Sequence, residues 1–400
     1  MMISSNSSSR LRVIAASGLL SEIANHHLVV EESIAACSIK LRYHRTHEGW
    51  RTSSFCREPV TQVMNQPLVS MVTPVYNTGE FIEQAIRSAL EQTYRHFEYI
   101  ICNNHSTDAT GEIAARYAAL DPRIRVVQPP SFLPQAQNFN FALQQISPES
   151  RFTKMILADD WLFPNCLQEM VARAAMSPSI GMVSSYRLIE AEGVGFGLPI
   201  DKKVLSGRTV GRLNMLENVQ VFGTPSTVMY ASDVVRSRAP VFYPEDRFYF
   251  DTDAAFQILA DRDFGFVHQI LTFSRYQPGS ITHNVDNYCT RQIDRVLSLH
   301  HYGQIYLSPE EFERAMSRAW RVYYEKIGGQ WLLDRLGKGQ PGFWAFHKKQ
   351  LAAIGMSIDR KRLAIGAATA AARAVSMPGE AIKHFVQGRR RREQPWEDHT

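Results

Sequence analysis

The feature that most limits how this chain can fold is an alternation that begins at Leu68. A short, mostly apolar run, LVSMVTP, stops at Pro74 and reads as a buried strand. The next segment, EFIEQAIRSALEQ, sets Phe81, Ile82, Ala85, Ile86, Ala89 and Leu90 on one helical face. The same pairing then recurs. FEYIIC precedes TGEIAARYAAL, a helix opened by the cap-like Asp108 and Thr110; RIRVVQ precedes QAQNFNFALQQI; FTKMIL precedes NCLQEMVARAAM. SIGMVSSY adds a fifth strand. Parallel strands need a long crossover, and a helix is the compact way to make one. The pattern therefore predicts an α/β fold: a Rossmann-like, mostly parallel sheet with helices on both faces.

Beyond residue 190 the alternation weakens. EGVGFGLP reads as a loop, TPSTVMY as a strand, DTDAAFQILA as a helix, and FGFVHQILTFSRY as two strands or one bent strand. From Ser308 the signal is helical, with Phe312, Met316, Trp320 and Tyr323 on one face, and LAIGAATAAARAV forms an Ala-rich helix before Pro378. Three regions follow. Residues 1–66, rich in Ser, His and Arg, are expected to be a poorly ordered extension, or alternatively a small helical appendage around Leu19–Ala36. Residues 67–305 form the α/β domain. Residues 306–400 form a helical region with a basic tail.

Composition narrows the function. With 400 residues, 44% of them hydrophobic and 21% charged, the chain can bury a sizeable core. Its net charge is only +5, and four of its cations are the run Arg389–Arg392, so it lacks a nucleic-acid-binding composition. Five scattered cysteines without a CxxC pair fit free thiols in a reducing compartment. No run approaches the roughly 20 apolar residues of a membrane span. VIAASGLL lacks the cleavage site of a signal peptide, so the expected location is the cytoplasm.

In an open parallel sheet, ligands collect beyond the carboxyl ends of the strands. Three polar clusters fall there: Thr73–Asn77 (TPVYN, with Pro74, Tyr76 and Asn77), Asn103–Asp108 (NNHSTD), and the adjacent Asp159 and Asp160. Neither GxGxxG nor GxxxxGK[ST] occurs after a strand, so bound phosphates need another source of positive charge. A divalent cation, Mg²⁺ or Mn²⁺, held by the aspartate pair supplies it. The plainer alternative is that Asp160 caps the helix that follows.

Together, VSMVTPVYNTGEFIEQAIRSALEQTYRHFEYIICNNHSTDAT and MILADDWLFPNCL resemble the inverting, nucleotide-sugar-dependent glycosyltransferase family 2, over roughly residues 68 to 285. The resemblance implies a GT-A fold and a single-displacement sugar transfer. Carried over by position, it implies that Asn104 touches the nucleobase and that Asp159 and Asp160 touch ribose and metal. Pro74, Tyr76, Asn77, Asp108 and Gln137 then belong to the nucleotide site, and Asp251 is the catalytic base. Asp251 in FYFDTDAAFQILA begins a helix whose N-terminus favours the carboxylate form; Asp253 is its rival, and either could simply cap the helix. Thr224 and Pro225 in VFGTPSTVMY fall in an acceptor-side loop. Arg275 and Gln277 in RYQPGSIT fall in a loop that closes over the diphosphate, where Arg275 contacts phosphate or pairs with an acid.

Departures from the family pattern limit what is carried over. Asn103 and Asn104 stand where two aspartates are common, though an asparagine both donates and accepts and so suits a base edge. Gln137 replaces a frequent Arg, and Gln277 a frequent His. The implied donor is a UDP-sugar first, with GDP- and dTDP-sugars as alternatives, and the acceptor is a glycan or a lipid-linked chain in bacterial cell-surface or exopolysaccharide synthesis. A non-catalytic nucleotide-sugar-binding protein is the second reading. A nucleotidyltransferase is the third, disfavoured because TPVYNTGE is not a basic Gly-rich loop. The Arg389–Arg392 run fits a solvated tail or a contact with the inner, anionic face of a membrane.

Overall fold

A computed structural model describes the backbone at residues 30–33, 39–46, 49–52 and 56–57, and backbone with side chains at 66–190, 192–275 and 288–376. The chain divides into two units at Gln66. The first contains β1 (Val30–Ser33), β2 (Ile39–Thr46), β3 (Gly49–Thr52) and β4 (Cys56–Arg57), all antiparallel to their partners. Extended backbone thus occupies part of the stretch expected to lack order, and β1 lies inside the alternative helical appendage. The signal was there: Ile39, Leu41 and Tyr43 alternate with Lys40, Arg42 and His44, a period of two. The rest of residues 1–65 lies outside the described residues.

The second unit follows the predicted alternation. Its elements run β5 (Val69–Val75), α1 (Ile82–Leu90), β6 (Phe97–Asn103), α2 (Thr110–Leu120), β7 (Ile124–Val127), α3 (Gln135–Leu143), β8 (Phe152–Met155), β9 (Asp160–Leu162), α4 (Cys166–Ala174) and β10 (Ile180–Ile189). Then come β11 (Glu192–Val194), β12 (Val204–Leu205), α5 (Gly207–Glu217), β13 (Met229–Ala231), α6 (Ser232–Ser237), α7 (Phe250–Leu259) and β14 (Asp263–Ser274). The sheet order is β12-β14-β10-β13-β8-β5-β6-β7. Strands β7, β6, β5 and β8 are mutually parallel, as are β10 and β14, whereas β13 runs antiparallel between β8 and β10.

Residue alternation explains why helices cover both faces. Val72, Ile100 and Cys102 face one core with α3, α5 and α7; Met71, Val75, Tyr99 and Ile101 face the other with α1 and α4. Two local expectations need correction. Pro74 does not end β5 but lies inside it. Pairing with β8 stops at Val72, so Pro74's missing N–H costs no bond on that side. TPSTVMY is a strand only from Met229; residues 225–227 form a turn, closed by Thr227 N–H donating to Thr224 O at 2.8 Å. The bent-strand alternative for FGFVHQILTFSRY is observed as β14, with register shifts against β10 around Ser185–Arg187.

Among the described residues four helices follow: α8 (Thr290–Tyr306), α9 (Pro309–Arg335), α10 (Phe343–Ala352) and α11 (Arg360–Ser376). Helix α9 starts where the sequence dictates, with Pro309 in its first turn and a Ser308–Glu311 capping box. Its predicted face is real: Tyr323 is buried, and Phe312, Met316 and Trp320 pack on the same core. Helices α9 and α11 cross at two glycines. A Cβ on Gly366 would sit 2.0 Å from the Tyr324 carbonyl oxygen, and one on Gly328 would sit 2.4 Å from the Ala367 nitrogen.

Candidate active site

The loops after β5 and β6 are tied to each other. Asn77, at φ 50, accepts from the Thr107 N–H at 2.8 Å through its side-chain oxygen, and its own N–H donates to the Ser106 hydroxyl at 3.0 Å. Asp108 accepts from the Gly79 N–H at 2.8 Å and from the Thr110 N–H at 3.0 Å. Asn77 and Asp108, expected to touch a nucleotide, here shape the rim that would hold one. Gly111 serves the same packing, since a Cβ there would come within 2.8 Å of the Asn103 amide nitrogen.

Asn104 departs from expectation. It is 2% exposed, and its amide both donates to Leu133 O at 2.7 Å and accepts from Leu133 N–H at 2.9 Å. Its hydrogen-bonding edge is therefore used inside the protein, on the loop before α3, and is not offered to a base. What that edge does present is aromatic: Tyr76 and Phe132, both exposed, meet edge to face with centroids 4.8 Å apart. Pro74 is buried in β5, and Gln137 is half-buried in the first turn of α3.

The aspartate pair lies at the turn out of β8. Asp160 is the first residue of β9, facing Ser274 across an antiparallel pair with β14, and the N-cap of α4 is Asn165. Asp160 is therefore not a helix cap. It is 4% exposed, and burial followed by the neighbouring Asp159 pushes its pKa up to about 7, against the pull of Ser226, Ser274 and Arg187. Burial also raises Asp159, opposed by Arg275. Arg275 holds both of its expected roles open. Its guanidinium faces the Phe81 and Trp161 rings, donates to the Gln84 side-chain amide oxygen Oε1 at 2.7 Å, and acts on Asp159. Gln277 lies outside the described residues.

Asp251 sits in the first turn of α7, half-buried, with its carboxylate accepting from the Thr252 N–H at 2.9 Å. The helix terminus does not keep it an ordinary carboxylate. Burial dominates and raises its pKa to about 6, against the Thr252 N–H and Arg187. Asp253 is different: 1% exposed, it is paired with the Arg247 guanidinium at 2.8 Å, and Arg247 in turn reaches Asp294 at 3.0 Å. That buried pair ties α7 to α8, and Asp251 has no such cation at salt-bridge distance among the described residues.

Two cations that sequence reasoning did not single out organise the centre. Arg187, on β10, donates to the Thr224 hydroxyl at 3.0 Å, and its charge acts on both Asp160 and Asp251. Lys154, on β8 and 0% exposed, donates to the carbonyls of Ser226 and, at 3.1 Å, of Val228. The Leu157 N–H donates to the Ser226 hydroxyl at 2.9 Å. Together these bonds dock the 224–228 turn, with Thr224 and the buried Pro225, against the end of β8 beside the aspartates. Burial lowers the Lys154 pKa to about 8, with Cys166 and Asp160 opposing. A charge inside an apolar strand run, as in FTKMIL and SSYRLI, was the available signal for both.

Among the described residues no group of three or more His, Cys, Asp or Glu side chains could hold a metal. Asp159 and Asp160 are a two-carboxylate donor set whose proximity and burial disfavour their charges. That chemistry fits a hard divalent cation that takes its remaining ligands from substrate phosphates and water.

A family model, Glycosyl transferase family 2, matches residues 70–238. TuaG of Bacillus subtilis (strain 168), whose name ties it to teichuronic acid biosynthesis, is 29% identical over 153 residues, 38% of this chain and 58% of that protein. The uncharacterized glycosyltransferase EpsJ of the same organism is 49% identical over 61 residues, 15% of this chain and 18% of that one. This chain thus spans less than two thirds of either relative. A mannosyltransferase from Pyrobaculum calidifontis, solved with GDP-Man and Mn²⁺, superposes with a TM-score of 0.48 at 18% identity, covering 80% of this chain and 83% of that one. Residues 70–238, which supply most of β5 to β13 and the aspartate pair, are the part of this chain that matches the glycosyl transferase family 2 model.

Proposed function

We propose that this protein transfers a sugar from a nucleoside-diphosphate sugar to an acceptor hydroxyl with inversion at the anomeric carbon. The observation that carries this reading is the placement of Asp251. It is a half-buried acid with a pKa near 6 in the first turn of α7, and it shares the Arg187 guanidinium with Asp160. A base in that range is mostly ionised at neutral pH yet can still accept a proton as the acceptor hydroxyl attacks. Asp253, spent on Arg247, cannot serve.

The donor lies along the strand ends. Its base meets the Tyr76–Phe132 aromatic face, and its diphosphate lies near Asp159, Arg275 and the Thr224 turn. Arg187 and Arg275 supply fixed positive charge where the leaving diphosphate gains negative charge. Asp159 and Asp160 would hold a divalent cation, which would add positive charge at the same place. The base is tested as uracil first, then guanine and thymine. TuaG's name supports a cell-surface glycan as the product class, on a glycan or lipid-linked acceptor. The cytoplasmic face of a membrane is then the place of action, with Arg389–Arg392 as one contact.

Because Asn104 is closed to a base and Gln137 adds no charge, a donor-binding protein without transfer is the second reading. One experiment separates them. In a transfer assay with a nucleotide sugar and a saccharide acceptor, Asp251→Asn should lower turnover about 10²–10⁴-fold while donor binding stays near wild type. Turnover by that variant close to wild type would remove Asp251 from the mechanism. Donor binding with no turnover by the wild type would favour the second reading.

A further inference from the structure

The last helices carry a charge imbalance that the transfer chemistry does not use. Between Arg335 and Ser376 eight Lys and Arg side chains, all exposed, stand against a single acid, Asp359, in a chain whose net charge is only +5. Three of them, Arg360, Lys361 and Arg362, fill the first turn of α11, where the helix dipole favours acids. Lys348 and Lys349 lie on α10, eleven to fourteen positions earlier in sequence. Part of this charge is partnered within the fold: Arg373 pairs with Glu325, Arg362 with Asp359, and Arg335 faces the Trp331 ring.

Helix α11 is also apolar on the wrong side. Its inner face, Leu363, Gly366, Ala367 and Ala370, packs toward α9. A helical period places Ala364, Ala368, Ala372 and Val375 on the opposite face, with Ile365 at its edge, where it also lines a groove with Trp320 and Tyr324 of α9; all five are exposed, Ile365 at 67% and Val375 at 83%. Arg362 and Arg373 flank this face, turned toward Trp320 and Glu325. Leu336, at 68%, and Met356, at 43%, add exposed apolar side chains at the ends of α9 and α10.

We infer that the outer face of α11, with the basic first turn Arg360–Arg362 at its start, is a docking surface for an anionic lipid bilayer. An exposed apolar helical face flanked by cations is the chemistry of an interfacial helix: the apolar side chains enter the headgroup–acyl boundary and the cations meet acidic headgroups. Charge complementarity selects the partner sign. The apolar face selects lipid over a nucleic acid, which would engage the cations alone. Among the described residues no helix is long and apolar enough to cross a membrane, so the contact is peripheral. The surface extends the membrane contact suggested for Arg389–Arg392 onto folded helices, and it does not depend on which sugar is moved.

Flotation of the full chain with vesicles tests it, using phosphatidylcholine alone and an equimolar mixture with phosphatidylglycerol. The wild type should float with the mixed vesicles, less so as salt rises, and not with phosphatidylcholine. Ile365→Asp with Val375→Asp, and separately Arg360→Glu with Lys361→Glu, should each cut binding by about tenfold or more, while thermal unfolding stays near wild type. Absent binding, or binding that survives both sets and is abolished only by replacing Arg389–Arg392 with Gln, would overturn the inference. So would light scattering that finds a dimer converted to a monomer by Ile365→Asp with Val375→Asp, because the face would then belong to a second copy. No donor is present in this assay, so its failure leaves the transferase reading intact, and failure of the Asp251 test leaves this one intact.

Discussion

Two aspartates two residues apart on α7 meet opposite fates, and the difference is a partner. Asp253 has Arg247 at 2.8 Å and is closed off; Asp251 has one backbone N–H and a share of Arg187, and its pKa rises from 3.8 to about 6. The sign of the consequence is fixed. Between pH 3.8 and about 6 the native carboxyl keeps a proton that the unfolded chain has released, so its contribution to stability is present below pH 3.8 and lost as pH rises through 6. Asp251→Asn should therefore melt higher than wild type at pH 7.5, with the gap closing near pH 4, in parallel thermal scans. An equal offset at both pH values would contradict the raised pKa. Wild-type transfer should rise with pH along a limb centred near 6. The sequence singled out Asp159 and Asp160 because acids at the end of an apolar strand run are visible in a string of letters, and Asp251 because the family resemblance implied a base at the start of that helix. It did not reveal that Asn104 is spent on Leu133, since that bond joins residues 29 apart through a loop whose path only tertiary packing sets.

At the scale of elements, the site depends on how β8 holds the 224–228 turn. Lys154→Met would keep the side-chain volume and leave the Ser226 and Val228 carbonyls without a donor, at a cost of about 1–3 kcal/mol, read as a lowered urea midpoint with an unchanged slope. Because Thr224 and Ser226 reach Arg187 and Asp160, transfer should fall further than stability alone accounts for, with kcat reduced at saturating donor. Normal kcat in a folded Lys154→Met protein would show that the turn does not need the lysine. Gly366→Leu tests a different packing: a side chain driven into the Tyr324 carbonyl should separate α11 from α9 and lower the melting temperature, while β5 to β14 stay folded and donor binding persists.

For the molecule as a whole, periodicity was the legible part. Each strand–helix pair from β5 to β10 could be read from apolar spacing, because a buried parallel strand and an amphipathic helix leave different periods. The short elements were legible only in part: β9 was not read, and the strand in TPSTVMY was placed from Thr224 when it begins at Met229. Strand β9 is three residues long and β13 three, and both exist because the sheet offers them an edge or a gap. The antiparallel β13 between β8 and β10 brings the Thr224 turn to the aspartates, and no local signal announces that order. Transfer by this protein requires that these strand ends bind a nucleoside diphosphate through the aspartate pair. Isothermal titration of the full chain with UDP, GDP and dTDP, with and without Mn²⁺, tests it most directly. The account predicts that one nucleotide binds, that Mn²⁺ strengthens it, and that Asp159→Ala abolishes the strengthening while Asp251→Asn preserves it. Binding of no nucleotide, or binding indifferent to both Mn²⁺ and Asp159, would contradict it.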